Sequence, residues 1–492
     1  MLLDHDTCYR AHQTRDARFD GRFFTGVTST GIFCRPTCPS PTPKPEHCRF
    51  FLCAAAAQQA GFRPCLRCRP ELAPDIAASF EPRAVVSRAL DLVAEGALDE
   101  GSVADLAARV GVVDRHLRRL FDRHIGTSPI VVAQTRRLLF AKQLLDETSL
   151  PITDVALAAG FGSVRRFNEV VQRVYGRSPR ELRRSRAETP LGELAPDVTL
   201  RLPYSPPYDW ESLVRFLAPR AIPGVESVTP ERYQRTISLD GHRGYVSVRP
   251  LPSRSCLEAT IRHPSVESLG RIVERLRRLF DLGANPEGIA THLSGDPLLA
   301  SLVASAPGLR VPGAWDGFEL AVRAVLGQQV SVAAATTLAR RLVEAHGDPM
   351  PGDPPAWADP GLRLTFPTPE RLATVDLSPI RITRARAATI SLLAGAVAAE
   401  PGLVRRSRSL EEHVRRLCHL PGIGVWTAQY IAMRAGHEPD AFPSTDLGVR
   451  RALGTLLGLP GPAPAEKAEA LAERWRPWRS YATMYLWIGG NP

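Results

Sequence analysis

Seven of nine cysteines fall within the first 68 residues, and four of them make two close pairs, Cys34-x3-Cys38 and Cys65-x2-Cys68, set 26 residues apart. A segment this short buries little surface and needs a staple. Four thiols at this spacing are the arithmetic of one tetrahedral zinc site. In a reducing cytosol such clustering indicates metal or a reactive thiol rather than disulfides. Cys48 and Cys53 are further candidates, though neither sits beside a second short pair, and Cys256 and Cys418 stand alone. The chain should open with a small metal-stapled domain.

The remainder is far longer. Its 492 residues allow roughly three or four domains, and 44% hydrophobic residues let each bury a core. No run of 18 apolar residues occurs, and the opening MLLDHDTCYRAHQTRD is too charged for a signal peptide. A soluble, cytoplasmic protein with no membrane partner is expected. A net charge of +11 favours a polyanionic partner. Residues 83–186 supply +6 of it, with 18 Lys and Arg against 12 Asp and Glu.

Composition divides the chain further. Residues 1–80 are Cys- and Pro-rich, 83–186 are helical in period, and 187–199 (AETPLGELAPDVT) form a linker of low hydrophobicity. In 200–285, alternating runs such as YQRTISL and GYVSVRPL predict strands, while SVESLGRIVERLRRLF predicts an amphipathic helix. From 286 to 492 the pattern is helical again, apart from a Pro-rich loop at 347–369.

Within 83–186, VADLAARVGVVDRHLRRLF (103–121) and ITDVALAAGFGSVRRFNEVV (152–171) repeat one plan about 49 residues apart. Each has a helix of small residues, a glycine turn (Gly111 in one, Gly160 and Gly162 in the other) and an arginine-bearing second helix. The arginines are Arg115, Arg118 and Arg119, then Arg165 and Arg166. Two such units predict helices entering successive major grooves on one face of DNA. Base reading and phosphate contact both remain open for these arginines.

The stretch LPGIGVWTAQYIAMRAGHEPDAFPSTD (420–446) carries a second kind of signal. Gly422 and Gly424 lack a Cβ, so backbone amides can approach a phosphate and positive φ is tolerated. The following helix, from near Val425, aims its free N–H groups at the same anion. Asp446 lies 22 residues beyond Gly424. A phosphate clamp beside an isolated carboxylate predicts chemistry on nucleic acid.

Family resemblances extend these readings. VTSTGIFCRPTC and AGFRPCLRC resemble the N-terminal domain of the Ada family over roughly Asp4 to Leu72. The resemblance implies that Cys34, Cys38, Cys65 and Cys68 bind zinc, and that Cys34 irreversibly accepts a methyl group from a DNA methyl-phosphotriester. Zinc keeps sulfur as thiolate, and four sulfurs on one divalent ion leave it electron-rich. Methylation removes one negative charge, so repair is expected to switch DNA affinity. Thr30 and Arg67 match positions near the phosphate, and Arg35 is either a neighbour of the nucleophile or a solvated surface residue. Residues 83–186, closing with GRSPRELRR, resemble AraC-type DNA-binding domains.

FELAVRAVLGQQVSVAAA (318–335), LPGIGVWTAQYIAMR (420–434) and WRPWRSYATMYLW (475–487) resemble AlkA-type 3-methyladenine DNA glycosylases of the helix-hairpin-helix superfamily, over about Leu200 to Trp487. The resemblance implies that Asp446 stabilises an oxocarbenium-like sugar and orients water once the nucleotide is flipped out. Trp426, Tyr430 and Trp487 match pocket positions that hold a cationic base by stacking and cation–π attraction, with core packing the other reading of each. Gln328 and Gln329 occupy the place of an apolar wedge. Trp426 stands where strand-cutting relatives carry lysine, and no iron–sulfur cysteine loop follows Cys418. A monofunctional glycosylase needing no cofactor is implied.

The expected architecture is multidomain and mainly α with α+β parts. It comprises a small zinc domain (1–80), a double helix-turn-helix domain (83–186), a linker (187–199), a TATA-binding-protein-like α+β subdomain (200–285) and a helix-hairpin-helix glycosylase domain (286–492). The expected function joins excision of alkylated purines to methyl-phosphotriester sensing and transcription regulation, with double-stranded DNA and RNA polymerase as partners. A Pro-Cys-His-Arg string is absent, so direct alkylguanine repair is not expected. Two rivals remain: a regulator whose glycosylase half only binds DNA or senses damage, and a glycosylase whose zinc domain is only an anchor.

Overall fold

The computed structural model describes residues 4–74, 84–99, 101–183 and 197–489, so residues 187–196 of the expected linker lie outside the described residues. The chain forms two compact units. The first comprises 1–206, 251–274 and 282–284, and the second comprises 207–250, 275–281 and 285–492. Among the described residues no helix is long and apolar enough to cross a membrane.

In the first unit, a four-stranded sheet runs in the order Cys48–Phe51, Phe24–Val27, Ile32–Cys34, Arg63–Pro64. The central hairpin sets Val27 opposite Ile32 and turns through Gly31 at φ +66°, where a side chain would be strained. The last strand pairs in parallel, Ile32 with Arg63 and Phe33 with Pro64. That pairing carries residues 65–68 alongside 34–38, so cysteine pairs distant in sequence meet.

The helix Ala54–Gln59 serves two cores. Ala54 and Ala57 pack with Phe24, Phe33 and Phe62. Cys53, Ala55 and Ala56 instead join Leu106, Leu117, Phe121 and Ile125 of the first helix-turn-helix. Alanine on every face lets one short helix be sandwiched in this way. The cysteine-bearing sheet and the first helix-turn-helix therefore share buried surface.

Each helix-turn-helix forms as its periodicity requires. Val103–Val110 starts at a Ser102/Asp105 capping box and ends at Gly111, φ +79°. Asp114–Ile125 then buries Leu117, Phe121 and Ile125 at helical spacing. Ile152–Ala158, Gly160 at φ +79° and Val164–Tyr175 repeat the arrangement, burying Phe167, Val171 and Tyr175. Gly162 does not adopt positive φ. The 19-residue helix Pro129–Glu147 joins the two motifs and spans about 28 Å.

A buried ion network ties that joining helix to both of its flanks. Arg69, at φ +55° directly after Cys68, reaches Glu71 (2.9 Å), Asp146 (3.1 Å) and Glu147 (3.3 Å). Glu147 in turn accepts from the side chain of Arg201 (2.9 Å) and its backbone N–H (3.0 Å). Arg201 lies on the strand Val198–Pro203, which pairs antiparallel with Cys256–Arg262. Charges this deep are tolerable only because each is partnered.

In the second unit, Glu226–Thr229, Arg232–Leu239 and His242–Leu251 form an antiparallel meander, confirming the strands expected from alternation. The helix Gly317–Leu326 is buried along nearly its whole length. Val332–His346, Arg384–Ala399 and Val425–Arg434 pack around it to form the main core. The Pro-rich loop contains a short ladder, Asp348 opposite Thr365, which its composition did not predict.

Candidate functional site

In the first unit, the sulfurs of Cys34, Cys38, Cys65 and Cys68 lie within 4.8 Å of one another, and all four residues are buried. Four thiolates at that separation repel unless a divalent cation sits among them. An all-sulfur tetrahedral set suits zinc. Backbone N–H groups add support, Arg35 N donating to Cys68 Sγ at 3.3 Å and Arg67 N to Cys65 Sγ at 3.4 Å. Cys48 instead donates to the carbonyl of Lys44, and Cys53 caps its helix by accepting from Ala56 N.

Arg35 is neither solvated nor aimed outward. Its guanidinium grips the Asp20 carboxylate on both oxygens and donates to the carbonyl of Cys68 at 3.2 Å. It braces the cysteine loops from behind. Asp20 carries no motif and was invisible in the sequence. Thr30 and Arg67 are exposed on the rim, Arg67 at 3.5 Å from Ser40 Oγ, so both remain available to a phosphate. Arg115, Arg118, Arg119, Arg165 and Arg166 are also exposed. Arg118 pairs with Asp114 and Arg165 with Glu169, surface pairs that DNA phosphates can displace at little cost.

In the second unit, Asp446 caps the helix Leu447–Leu456. Its Oδ1 accepts from Val449 N and from Trp487 Nε1, both at 2.9 Å, and its Oδ2 accepts from Trp426 Nε1 at 2.9 Å. Trp426 and Tyr430, one turn apart on Val425–Arg434, stack at 5.5 Å and 14°. Tyr430 meets Trp487 at 6.2 Å, and Phe216 stacks on Trp487 at 6.0 Å. The expected aromatic trio is thus assembled around the expected carboxylate, with the tryptophans presenting their N–H edges to it and stacking their faces on Tyr430 and Phe216.

Two arginines back this cluster. Arg434 donates to Tyr430 Oη at 2.7 Å and to the carbonyl of Gly313 at 2.9 Å. Arg220 lies 3.8 Å over the Phe216 ring. Burial pushes the Tyr430 phenol up, but Arg434 and Arg220 outweigh it and hold the group below its usual value. Arg434 was findable, four residues from Tyr430 on one helix face. Phe216 and Arg220 lie more than 200 residues from Tyr430 in sequence, and no local signal pointed to them.

At the hairpin, Gly422 has φ +85°, and a Cβ there would fall 2.0 Å from Thr389 Oγ1. Gly424 differs from expectation. Its φ is −87°, and it is the helix N-cap without a side-chain cap bond. With no side-chain cap, the first helical N–H groups are left for an anion to satisfy. Gln328 Nε2 donates to the carbonyl of Gly422 at 2.9 Å and to Thr427 Oγ1 at 3.0 Å, whereas Gln329 is exposed at φ +57°.

Four families of known proteins match successive segments of the chain. Residues 7–71 match the metal binding domain of Ada, 106–185 a helix-turn-helix domain, 199–316 the AlkA N-terminal domain, and 322–477 the HhH-GPD superfamily of base excision DNA repair proteins. A Mycobacterium tuberculosis protein named probable bifunctional transcriptional activator/DNA repair enzyme AlkA is 42% identical over 99% of this chain and 97% of its own. The chain belongs to the Ada–AlkA fusion family. The Escherichia coli DNA-3-methyladenine glycosylase 2 is 35% identical over 58% of the Ada–AlkA chain and 95% of its own. The solved 3-methyladenine DNA glycosylase of Archaeoglobus fulgidus overlays 59% of the chain and 97% of its own, at 26% identity and a TM-score of 0.51.

Proposed function

We propose that this Ada–AlkA protein repairs alkylated DNA at two centres. The observation carrying the glycosylase reading is the Asp446 carboxylate, held by two indole N–H groups at the edge of an aromatic cluster and 22 residues beyond a phosphate-binding hairpin. The Gly422 turn and the uncapped helix start at Gly424 anchor the backbone of the damaged strand. The flipped alkylpurine stacks among Trp426, Tyr430 and Trp487. The C1′–N9 bond then breaks, and its electron pair leaves with the base, which departs neutral. Asp446 stabilises the cationic sugar and orients the water that adds to C1′, whose proton passes to the carboxylate or to solvent. The strand is left intact with an abasic site.

At the second centre, the Cys34 sulfur attacks the methyl carbon of a methyl-phosphotriester. The O–CH3 bond breaks with its electrons on the phosphate oxygen, and Cys34 becomes a thioether. Zinc supplies the charge that keeps the sulfurs deprotonated at neutral pH. The loss of one negative charge strengthens binding by Arg115, Arg118, Arg119, Arg165 and Arg166 at a promoter, where RNA polymerase is the further partner. The work is done in the cytoplasm.

Release of methylpurine from methylated duplex DNA, compared between the protein and its Asp446→Asn variant, tests the glycosylase reading. No release by the unaltered protein would leave the second unit as a DNA-binding or damage-sensing module.

A further inference from the structure

Gln328 takes no part in the chemistry above, yet it is bound on three sides. Its side-chain amide donates to the Gly422 carbonyl at 2.9 Å and to Thr427 Oγ1 at 3.0 Å, and its own carbonyl accepts from Arg386 at 2.6 Å. The residue it grips, Gly422, is the left-handed turn of the hairpin, pressed from its other side by Thr389. The next residue, Gln329, is a non-glycine held at φ +57°, a conformation that persists only when the surroundings enforce it. From there the chain is exposed through Gln329, Val330, Ser331 and Val332, both valines 38% exposed. Val330 thus lies exposed in the strained turn, and Val332 opens the helix Val332–His346 that follows it.

We infer that Gln328 is a positioning residue for nucleotide extrusion. It latches the exposed 329–331 turn to the phosphate-binding hairpin, so the point that grips the backbone and the point that enters the duplex stay at a fixed separation. Gln329 stands at the wedge position that the resemblance implies, and the latch fixes where that exposed side chain is presented. The inference rests on the glycosylase reading and adds a division of labour between the two glutamines. Extrusion from a paired duplex needs unpairing and unstacking, whereas an already unpaired base needs little. A loosened latch should therefore matter only where the base must be pried out.

The test replaces Gln328 by Met, which keeps the length but removes the donor, and separately by Ala. Single-turnover excision of a methylated purine is measured in a paired duplex and opposite an abasic analogue. The expected result is at least a tenfold loss on the paired duplex and less than a twofold loss opposite the gap. Thr427→Val, losing one of the two acceptors, should give a smaller loss of the same pattern. Equal losses on both substrates, or none on either, overturn the inference. A 2-aminopurine beside an abasic analogue reports unstacking without bond cleavage. If the unaltered protein excises nothing, the glycosylase reading has failed. The fluorescence rise, and its loss in Gln328→Met, then still decides the latch.

Discussion

The indole N–H of Trp426 lies 2.9 Å from Oδ2 of Asp446, so one side chain stacks its face on Tyr430 and turns its edge to the carboxylate. Trp426→Phe keeps the face and deletes the edge. A hydrogen bond to a charged group contributes about 1.5–3 kcal/mol, so kcat should fall roughly 10- to 150-fold with KM little changed. Single-turnover and steady-state excision together check this. A rise in KM at constant kcat would reduce Trp426 to a stacking surface.

Asp446→Asn should leave the fold intact, because asparagine is an equally good helix N-cap. Three N–H groups now converge on Asp446, and an amide offers one acceptor oxygen where the carboxylate offers two. Preorganised electrostatic stabilisation of this kind is worth about 3–4 kcal/mol, so excision should drop by a factor of several hundred or more. The product of the unaltered enzyme should be an unbroken strand with an abasic site, and borohydride should trap no covalent adduct, since Trp426 occupies the lysine position. A trapped adduct would refute the monofunctional assignment.

The two hairpin glycines should separate cleanly on substitution. Gly422→Ala places a Cβ 2.0 Å from Thr389 Oγ1 at φ +85°, which must displace the turn and weaken damaged-DNA binding. Gly424→Ala meets nothing within 4 Å at φ −87°, and thermal stability should be almost unchanged. Unfolding midpoints and DNA titrations of both variants distinguish the cases.

Metal analysis should find one zinc per chain. Cys38→Ser should lose it and destabilise more than the cysteine-bearing sheet, because Cys53, Ala55 and Ala56 also complete the core of the first helix-turn-helix. Promoter binding should weaken in parallel. Undiminished promoter affinity in zinc-free protein would show that the shared core transmits nothing.

After incubation with methyl-phosphotriester DNA, mass spectrometry should place one added methyl on the peptide holding Cys34. Promoter affinity should then rise, and the rise should shrink at high salt because it originates in charge. Methyl found on Cys38, Cys65 or Cys68 instead would reassign the nucleophile.

Local pattern alone determined a good deal of this molecule. Close cysteine spacing, the helical period of the two DNA-binding repeats and the Leu-Pro-Gly-Ile-Gly hairpin each depend on residues within one or two turns of each other, so the metal cluster, the paired helices and, through alternation, the strand pair of 233–251 were all foreseeable. Asp446 was singled out by its place after the hairpin and by the family resemblance, and packing sets it against Trp426 and Trp487. What the linear chain lacked was any sign of partners supplied from afar. Asp20 behind Arg35, Phe216 against Trp487, Arg201 on Glu147 and Gln328 on Gly422 span from 15 to 271 residues of sequence. Each is a hydrogen bond or ring contact made only when distant elements pack, and no periodicity encodes it. The chemistry was legible because it resides in residue types at short spacing, while its geometric support was decided by tertiary packing.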